Sequence, residues 1–285
     1  MDEQIVINPD TLLMLQGFAA KPSQAVILSG QKWILKKEIA DYLAYTILGI
    51  GRSGLDSYPY RTVIKPDPAS ISIEEIRKLN HVLSMKVPGK RVFDRIIEIY
   101  DADKMTAEAQ NALLKNLEEP PTGTVFILTA SKADNLLPTV ISRCHLLPIN
   151  PPNIDQSKRY LSGQGYPETE IKKALSMAGG LVGLAKLILE DPAHPLKRAA
   201  EQAKEFAAGD TYIRLKVISQ IKDRPEALEF LFMLKTVVGF GMGSAKTSAI
   251  SAKMLRLMKN SIEAEEQLTH NGITKLVLLN LAVQS

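Results

Sequence analysis

The hydrophobic pattern changes character near residue 150. Before it, short continuous apolar runs alternate with segments whose apolar residues recur every three or four positions. Ala25–Ser29, Arg61–Ile64, Val92–Tyr100 and Thr124–Ala130 read as strands, with Cys144–Ile149 as a last one. Asn8-Pro9 offers an N-cap and a first-turn proline for a helix through about Ala20. Leu35–Leu48 reads as a second helix, and Gly49–Gly54 as a loop. Ser72 opens a third, with Ile73, Ile76, Leu79 and Leu83 on one face, that stops before Pro88-Gly89. Thr106–Glu118 is a fourth, with Leu113, Leu114 and Leu117 as its buried stripe and Pro120-Pro121 ending it. Strands alternating with helices predict an α/β fold: a mainly parallel sheet with helices on both faces.

After Pro148-Ile-Asn-Pro151-Pro152 the strands disappear. Three short helical patterns fill 153–191, broken at Gly163–Pro167 and Gly179-Gly180. Asp191–Pro195 reads as a linker. From Leu196 the chain is helical again, with breaks expected near Gly209-Asp210, Arg224-Pro225, Gly239–Gly243 and Asn271-Gly272. No internal repeat or low-complexity tract interrupts this plan. The predicted domains are an α/β domain over 1–150, a small helical domain over 151–192 and a helical bundle over 193–285.

Composition narrows the setting. Apolar residues make up 45% of the 285, enough for sizeable cores. No run of about 18 apolar residues exists, and Met1-Asp2-Glu3-Gln4 is acidic, so neither a membrane span nor a signal peptide is expected. The single cysteine, Cys144, excludes an intramolecular disulfide and a cysteine-rich zinc site, and fits a reducing cytoplasm. A net charge of +4 permits contact with nucleic acid without arguing for it.

The sharpest local chemistry lies at residues 25–37, Ala-Val-Ile-Leu-Ser-Gly-Gln-Lys-Trp-Ile-Leu-Lys-Lys. Strand, turn, helix is the layout of a phosphate-binding loop, G-x-x-x-x-G-K-[S/T]. Gly30 and Lys36 match its first glycine and its lysine. Leu35 stands where the second glycine lets backbone N–H groups wrap a phosphate, and Lys37 where a hydroxyl holds magnesium. A second degenerate motif ends the third strand. Working phosphate-loop ATPases place a magnesium-ordering aspartate there, often followed by a water-activating glutamate; this chain has Tyr100 and Asp101. Nucleotide, metal and cofactor are therefore not expected at this vestigial site, and Lys36 reads as a helix-surface lysine.

Other candidates are weaker. Gly241-Met-Gly243-Ser-Ala-Lys246-Thr247 has the wrong spacing for a phosphate loop and reads as a helix-breaking turn. His81, His145, His194 and His270 show no metal-ligand spacing. Lys158-Arg159, Lys172-Lys173 and Lys197-Arg198 read as solvated helix faces. Cys144 has no evident histidine and carboxylate partners and reads as a packing residue.

A set of ordered motifs adds to this. Asn111-Ala-Leu-Leu-Lys115-Asn-Leu-Glu118-Glu119-Pro120-Pro121 is followed by Thr124–Thr129 and then Leu137-Pro138-Thr139-Val-Ile141-Ser142-Arg143-Cys144. With Ser72–Leu79 and Ala178–Gly183, these resemble the clamp-loader branch of the AAA+ ATPases, over about two thirds of the chain. An intact Ser-Arg-Cys beside a dead phosphate loop resembles the delta-prime type of that branch rather than the gamma/tau motor type. The resemblance implies an AAA+ α/β domain, a helical lid and a C-terminal collar. It also implies gamma/tau motor subunits, a delta subunit, the sliding clamp and primer–template DNA as partners, with no intrinsic ATPase activity. The residues alone leave Arg143 as a surface or salt-bridged arginine before an edge strand. The resemblance makes it an arginine finger acting in trans, with Ser142 and Cys144 shaping its turn. Ile47–Tyr60 lacks the cysteines of the zinc module many relatives carry, so no zinc is expected, and the collar is short. The alternatives are a divergent active ATPase of the gamma/tau type, or a stand-alone binding module of DNA replication.

Overall fold

The computed structural model describes residues 5–88, 92–243 and 248–284. The acidic opening at 1–4, Gly89 and residues 244–247 of the glycine-containing run at 241–247 lie outside them. The chain divides into two compact units, Met1–Pro152 and Asn153–Ser285.

In the first unit, β1 (Ala25–Ser29), β2 (Arg61–Ile64), β3 (Arg95–Ile99), β4 (Thr124–Ala130) and β5 (His145–Pro148) form a five-stranded sheet in the order β2-β3-β4-β1-β5. Every pairing is parallel, with Ala25 opposite Phe126, Val26 opposite His145 and Arg95 opposite Thr124. A parallel sheet covered on both faces needs continuous apolar strands, and β1 and β4 supply them. One face packs Ile27, Ile97, Phe126 and Leu128 under α4 (Ile73–Ser84) and α5 (Ala107–Glu118), through Ile76, Leu79, Leu83, Leu113 and Leu117. The opposite parity, Val26, Leu28, Ile96 and Ile127, is covered by α1 (Pro9–Ala20) and α2 (Lys36–Leu48), which bury Leu15, Phe18, Ile39 and Leu43.

Local chemistry explains the boundaries. Asn8 caps α1 by accepting from the Asp10 N–H. Ser72 and Glu75 form a reciprocal capping box on α4, and Thr106 accepts from Ala109 at the start of α5. Two differences from the sequence reading stand out. The third strand begins at Arg95 rather than Val92, whose side chain is exposed, and the buried Arg95 guanidinium donates to the Leu83 and Met85 carbonyls at the end of α4. The expected loop at 49–54 contains one short helix, α3 (Arg52–Leu55), that tucks Leu55 into the interior.

The second unit is helical among its described residues: α7 (Ile154–Gly163), α8 (Glu168–Met177), α9 (Val182–Glu190), α10 (Pro195–Ala208), α11 (Thr211–Ser219), α12 (Arg224–Gly243), α13 (Ser248–Thr269) and α14 (Thr274–Gln284). In the first unit, α6 is the short helix Pro138–Ile141. Phe206 of α10 meets Phe230 of α12 edge-to-face, with ring centroids 5.4 Å apart. The break expected near Gly239–Gly243 falls at the far end of that run: α12 passes through Gly239 and Gly241 and ends at Gly243, and α13 begins at Ser248. A Cβ at Gly241 would stand 2.7 Å from the Met254 methyl, so α12 and α13 approach closely there. Packing outweighs the ~1 kcal/mol cost of a helical glycine. Leu255 and Ile262 of α13, Ile273 just before α14, and Leu276, Leu279 and Val283 of α14 remain exposed.

Candidate functional site

Because β3, β4 and β1 are neighbours, the segments leaving their C-terminal ends converge on one edge of the sheet, the usual ligand position in such folds. The first segment is the loop after β1, Gly30 to Leu35. Its backbone keeps a conformation made for glycine although its side chains do not: Trp33 has φ +68° and Leu35, the N-cap of α2, φ +59°. A left-handed backbone costs an L-residue roughly 1–2 kcal/mol. Ile34 is buried against Gly30, where an added Cβ would lie 2.6 Å from the Ile34 Cδ1 and 2.7 Å from the Ile149 carbonyl oxygen.

Lys36 departs from the surface role expected of it. Its side chain is buried, and the ammonium donates to the Gly30 carbonyl at 2.7 Å, the Gln31 carbonyl at 3.2 Å and the Ser131 hydroxyl at 3.0 Å. An ammonium has three donors, and all three find protein acceptors. The reason is geometric: the first turn of α2 faces the end of β4, where Ser131 waits. Burial lowers the affinity of Lys36 for its proton, partly offset by the fields of Asp101 and Asp103. Lys37, one residue on, is exposed.

The two residues of the second motif diverge. Asp101 stays near the loop, receiving its side-chain contact from Lys104 at 3.0 Å while its N–H donates to the Thr129 hydroxyl at 2.9 Å. Tyr100 joins a different cluster. Its hydroxyl donates to Asp41 of α2 at 2.8 Å and accepts from Arg61 of β2 at 3.1 Å. Arg61 also pairs with Asp41, with Asp56 at 3.0 Å and with the fully buried Glu98 at 2.5 Å. Burial pushes the Glu98 carboxyl up to about 7 against the pull of Arg61, and its second oxygen, Oε1, has no partner. Arg61 stays a cation despite its own burial, because Glu98 and Asp41 face it. Desolvation, joined by the negative charge of Glu98 and Asp41, raises Tyr100 well above the ordinary phenol, so its hydroxyl remains a neutral donor. This network was not legible in the sequence, where its members lie on or beside α2, α3, β2 and β3.

Arg143 sits apart, on the corner between α6 and β5. The corner is a tight turn: the N–H groups of Ser142, Arg143 and Cys144 donate to the carbonyls of Pro138, Val140 and Ile141. The Arg143 Nη1 donates to the Thr139 carbonyl at 2.8 Å and to the Ser142 hydroxyl at 3.4 Å, and its Nη2 pairs with the Glu118 carboxylate at the end of α5. Beneath it, Val140 is fully buried and Cys144 packs on the core; burial pushes its thiol up to about 12, which suits packing and not nucleophilic chemistry. Sequence reasoning passed over Gln110, which is buried, donates to the Met105 carbonyl at 3.2 Å and accepts the Leu137 N–H at 2.7 Å. It fastens the start of the corner to α5. A polar residue on the buried stripe of that helix was the available signal.

No cluster of metal-ligating side chains occurs among the described residues, and no helix there is long and apolar enough to cross a membrane. Comparison with known proteins agrees with the motifs. Residues 11–153 match the family described as DNA polymerase III, delta subunit. The DNA polymerase III subunit delta' of Haemophilus influenzae is 31% identical over 122 residues, covering 42% of this chain and 37% of that protein. The corresponding Bacillus subtilis subunit is 38% identical over 95 residues, covering 33% and 28%. The matches thus span less than half the length of either relative. Among solved structures, a gamma subunit-related protein of DNA polymerase III from Thermotoga maritima superposes with a TM-score of 0.59 at 18% identity, covering 96% of this chain and 98% of that one, a likeness of fold. Sheet order, corner motif and family match coincide on one conclusion: the chain belongs to the delta-prime family of DNA polymerase III subunits.

Proposed function

We propose that the chain is an ATPase-inactive subunit of a clamp loader that supplies Arg143 to a neighbouring motor's ATP. The observation that carries this reading is the contrast between two cations. Lys36, the residue that meets phosphate in a working loop, spends its three donors on its own protein. Arg143 keeps its guanidinium at the surface, a third exposed, on a corner fixed by backbone hydrogen bonds. A fixed planar cation reaching a γ-phosphate across a subunit boundary offsets the charge developing on the transferred group, worth roughly 10³–10⁵ in rate in related systems. Ser142 positions the guanidinium from below.

In this reading the vestigial site, Gly30, Leu35, Lys36, Lys37, Tyr100 and Asp101, takes no nucleotide, metal or other cofactor. Ile34 fills the space beside Gly30, and Tyr100, bound to Asp41 and Arg61, offers no carboxylate to magnesium. Residues 151–192 act as the lid and 193–285 as the collar. The exposed apolar positions of α13 and α14 suit a collar that packs against other subunits, since contiguous exposed apolar surface marks interaction sites. The partners are gamma/tau motors and a delta subunit, and the assembly acts on the sliding clamp and primed DNA in the cytoplasm.

The test is reconstitution with motor and delta subunits, followed by clamp- and primer-stimulated ATP hydrolysis. Arg143→Ala is expected to lower turnover at least about a hundredfold with the assembly intact. Unchanged turnover in an intact assembly removes the finger. Magnesium-dependent turnover by the isolated chain would instead favour a divergent motor.

A further inference from the structure

We infer that Glu118 is the positioning residue for Arg143, holding the guanidinium in place before a neighbouring phosphate arrives; the inference rests on the finger reading above. The Arg143 Nη2 pairs with the Glu118 carboxylate, while Nη1 is held by the Thr139 carbonyl at 2.8 Å and the Ser142 hydroxyl at 3.4 Å. Anchors on two sides fix the plane of the guanidinium, and donors remain among its five for an outside ligand.

The position of Glu118 argues that the pair has a purpose. Glu118 is the last residue of α5, where the helix dipole presents negative charge and a carboxylate is disfavoured by about 0.3–1 kcal/mol. Isolated surface pairs contribute little to stability, roughly 0–1 kcal/mol, and this one is 33% exposed on the arginine and 48% on the glutamate. Its value lies in geometry. A free arginine loses about 2 kcal/mol of side-chain entropy when fixed, and a held one has met that cost in the isolated subunit. Both tethers of the corner belong to α5: Gln110 grips the Leu137 N–H near its start and Glu118 grips Arg143 at its end. One rigid helix thus sets both the turn and the charge.

The experiment uses the complete reconstituted assembly with clamp and primed DNA, reading kcat and KM for ATP. Glu118→Ala should lower kcat about tenfold with KM nearly unchanged, as expected for an interaction felt in the transition state. Glu118→Gln, which keeps an acceptor without the charge, should fall between. In an Arg143→Ala background, Glu118→Ala should add nothing. Full activity in Glu118→Ala while Arg143→Ala is crippled overturns the positioning role and leaves the finger standing. The same loss in both backgrounds also overturns it, because Glu118 then acts through something else. Full activity in Arg143→Ala removes the finger itself, and the role of Glu118 with it.

Discussion

The loop after β1 and the corner before β5 each carry a cation suited to phosphate chemistry, and they dispose of it in opposite ways. At the loop, Lys36 is desolvated and bound to carbonyls and a hydroxyl of the same fold. At the corner, Arg143 is tethered to a carbonyl, a hydroxyl and a carboxylate yet stays partly in water. A buried ammonium is expensive to leave unpaired, so the loop is stable only while its own acceptors hold the lysine. A surface guanidinium can exchange partners at little cost. The lysine of the loop is held by its own fold, while the arginine of the corner stays partly in water.

Variants of both regions can break or sharpen this contrast. Arg143→Ala carries the largest expected effect, the collapse of assembly-dependent hydrolysis, while urea unfolding of the isolated chain should shift by less than about 1 kcal/mol. A large stability loss would mean that the corner, too, is mainly structural.

The Glu98 cluster comes next. Its carboxyl is held near 7 in the fold against an ordinary 4.5, so the favourable contribution is complete below 4.5 and is lost as pH rises through about 7. The chain should lose up to about 3 kcal/mol between pH 4.5 and 8 from this group. Glu98→Gln, which mimics the neutral acid, should flatten that slope in denaturant titrations at pH 5 and 8. An unchanged slope would show that Arg61 keeps Glu98 ionised throughout.

Lys36→Met removes the ammonium and strands the Gly30 and Gln31 carbonyls. It should cost about 2 kcal/mol in chemical unfolding, more than Arg143→Ala, and calorimetry should still detect no nucleotide binding. A smaller cost than at Arg143 would invert the comparison. Leu35→Gly is the mildest: relief of the left-handed backbone and the added freedom of the unfolded chain nearly cancel, leaving a change within about 1 kcal/mol. Nucleotide binding gained by that single change would show that Leu35 alone blocks the loop.

Much of this was legible in the linear order of residues. The boundaries of β1, β2 and β4 follow the apolar runs, and those of α1 and α5 follow Asn8-Pro9, Thr106 and Pro120-Pro121, because strand burial, capping and proline act within a few residues. The departures from the phosphate-loop spacing were equally plain, since Leu35 and Lys37 stand in fixed places beside Gly30 and Lys36. The passage of α12 through Gly239 and Gly241 was not, because the methionines packed on it belong to another helix.

By itself, then, the sequence determined the alternation of elements, the class of sheet and the departures from the phosphate-loop pattern at Leu35 and Lys37, all set by local spacing and residue type. Tertiary structure alone decided where the polar groups went: Lys36 to Ser131, 95 residues away, Tyr100 to Asp41, 59 away, and Arg143 to Glu118. Such pairings depend on which strand ends lie side by side and on the cost of leaving a buried donor or charge alone, and neither is written in the periodicity of the chain.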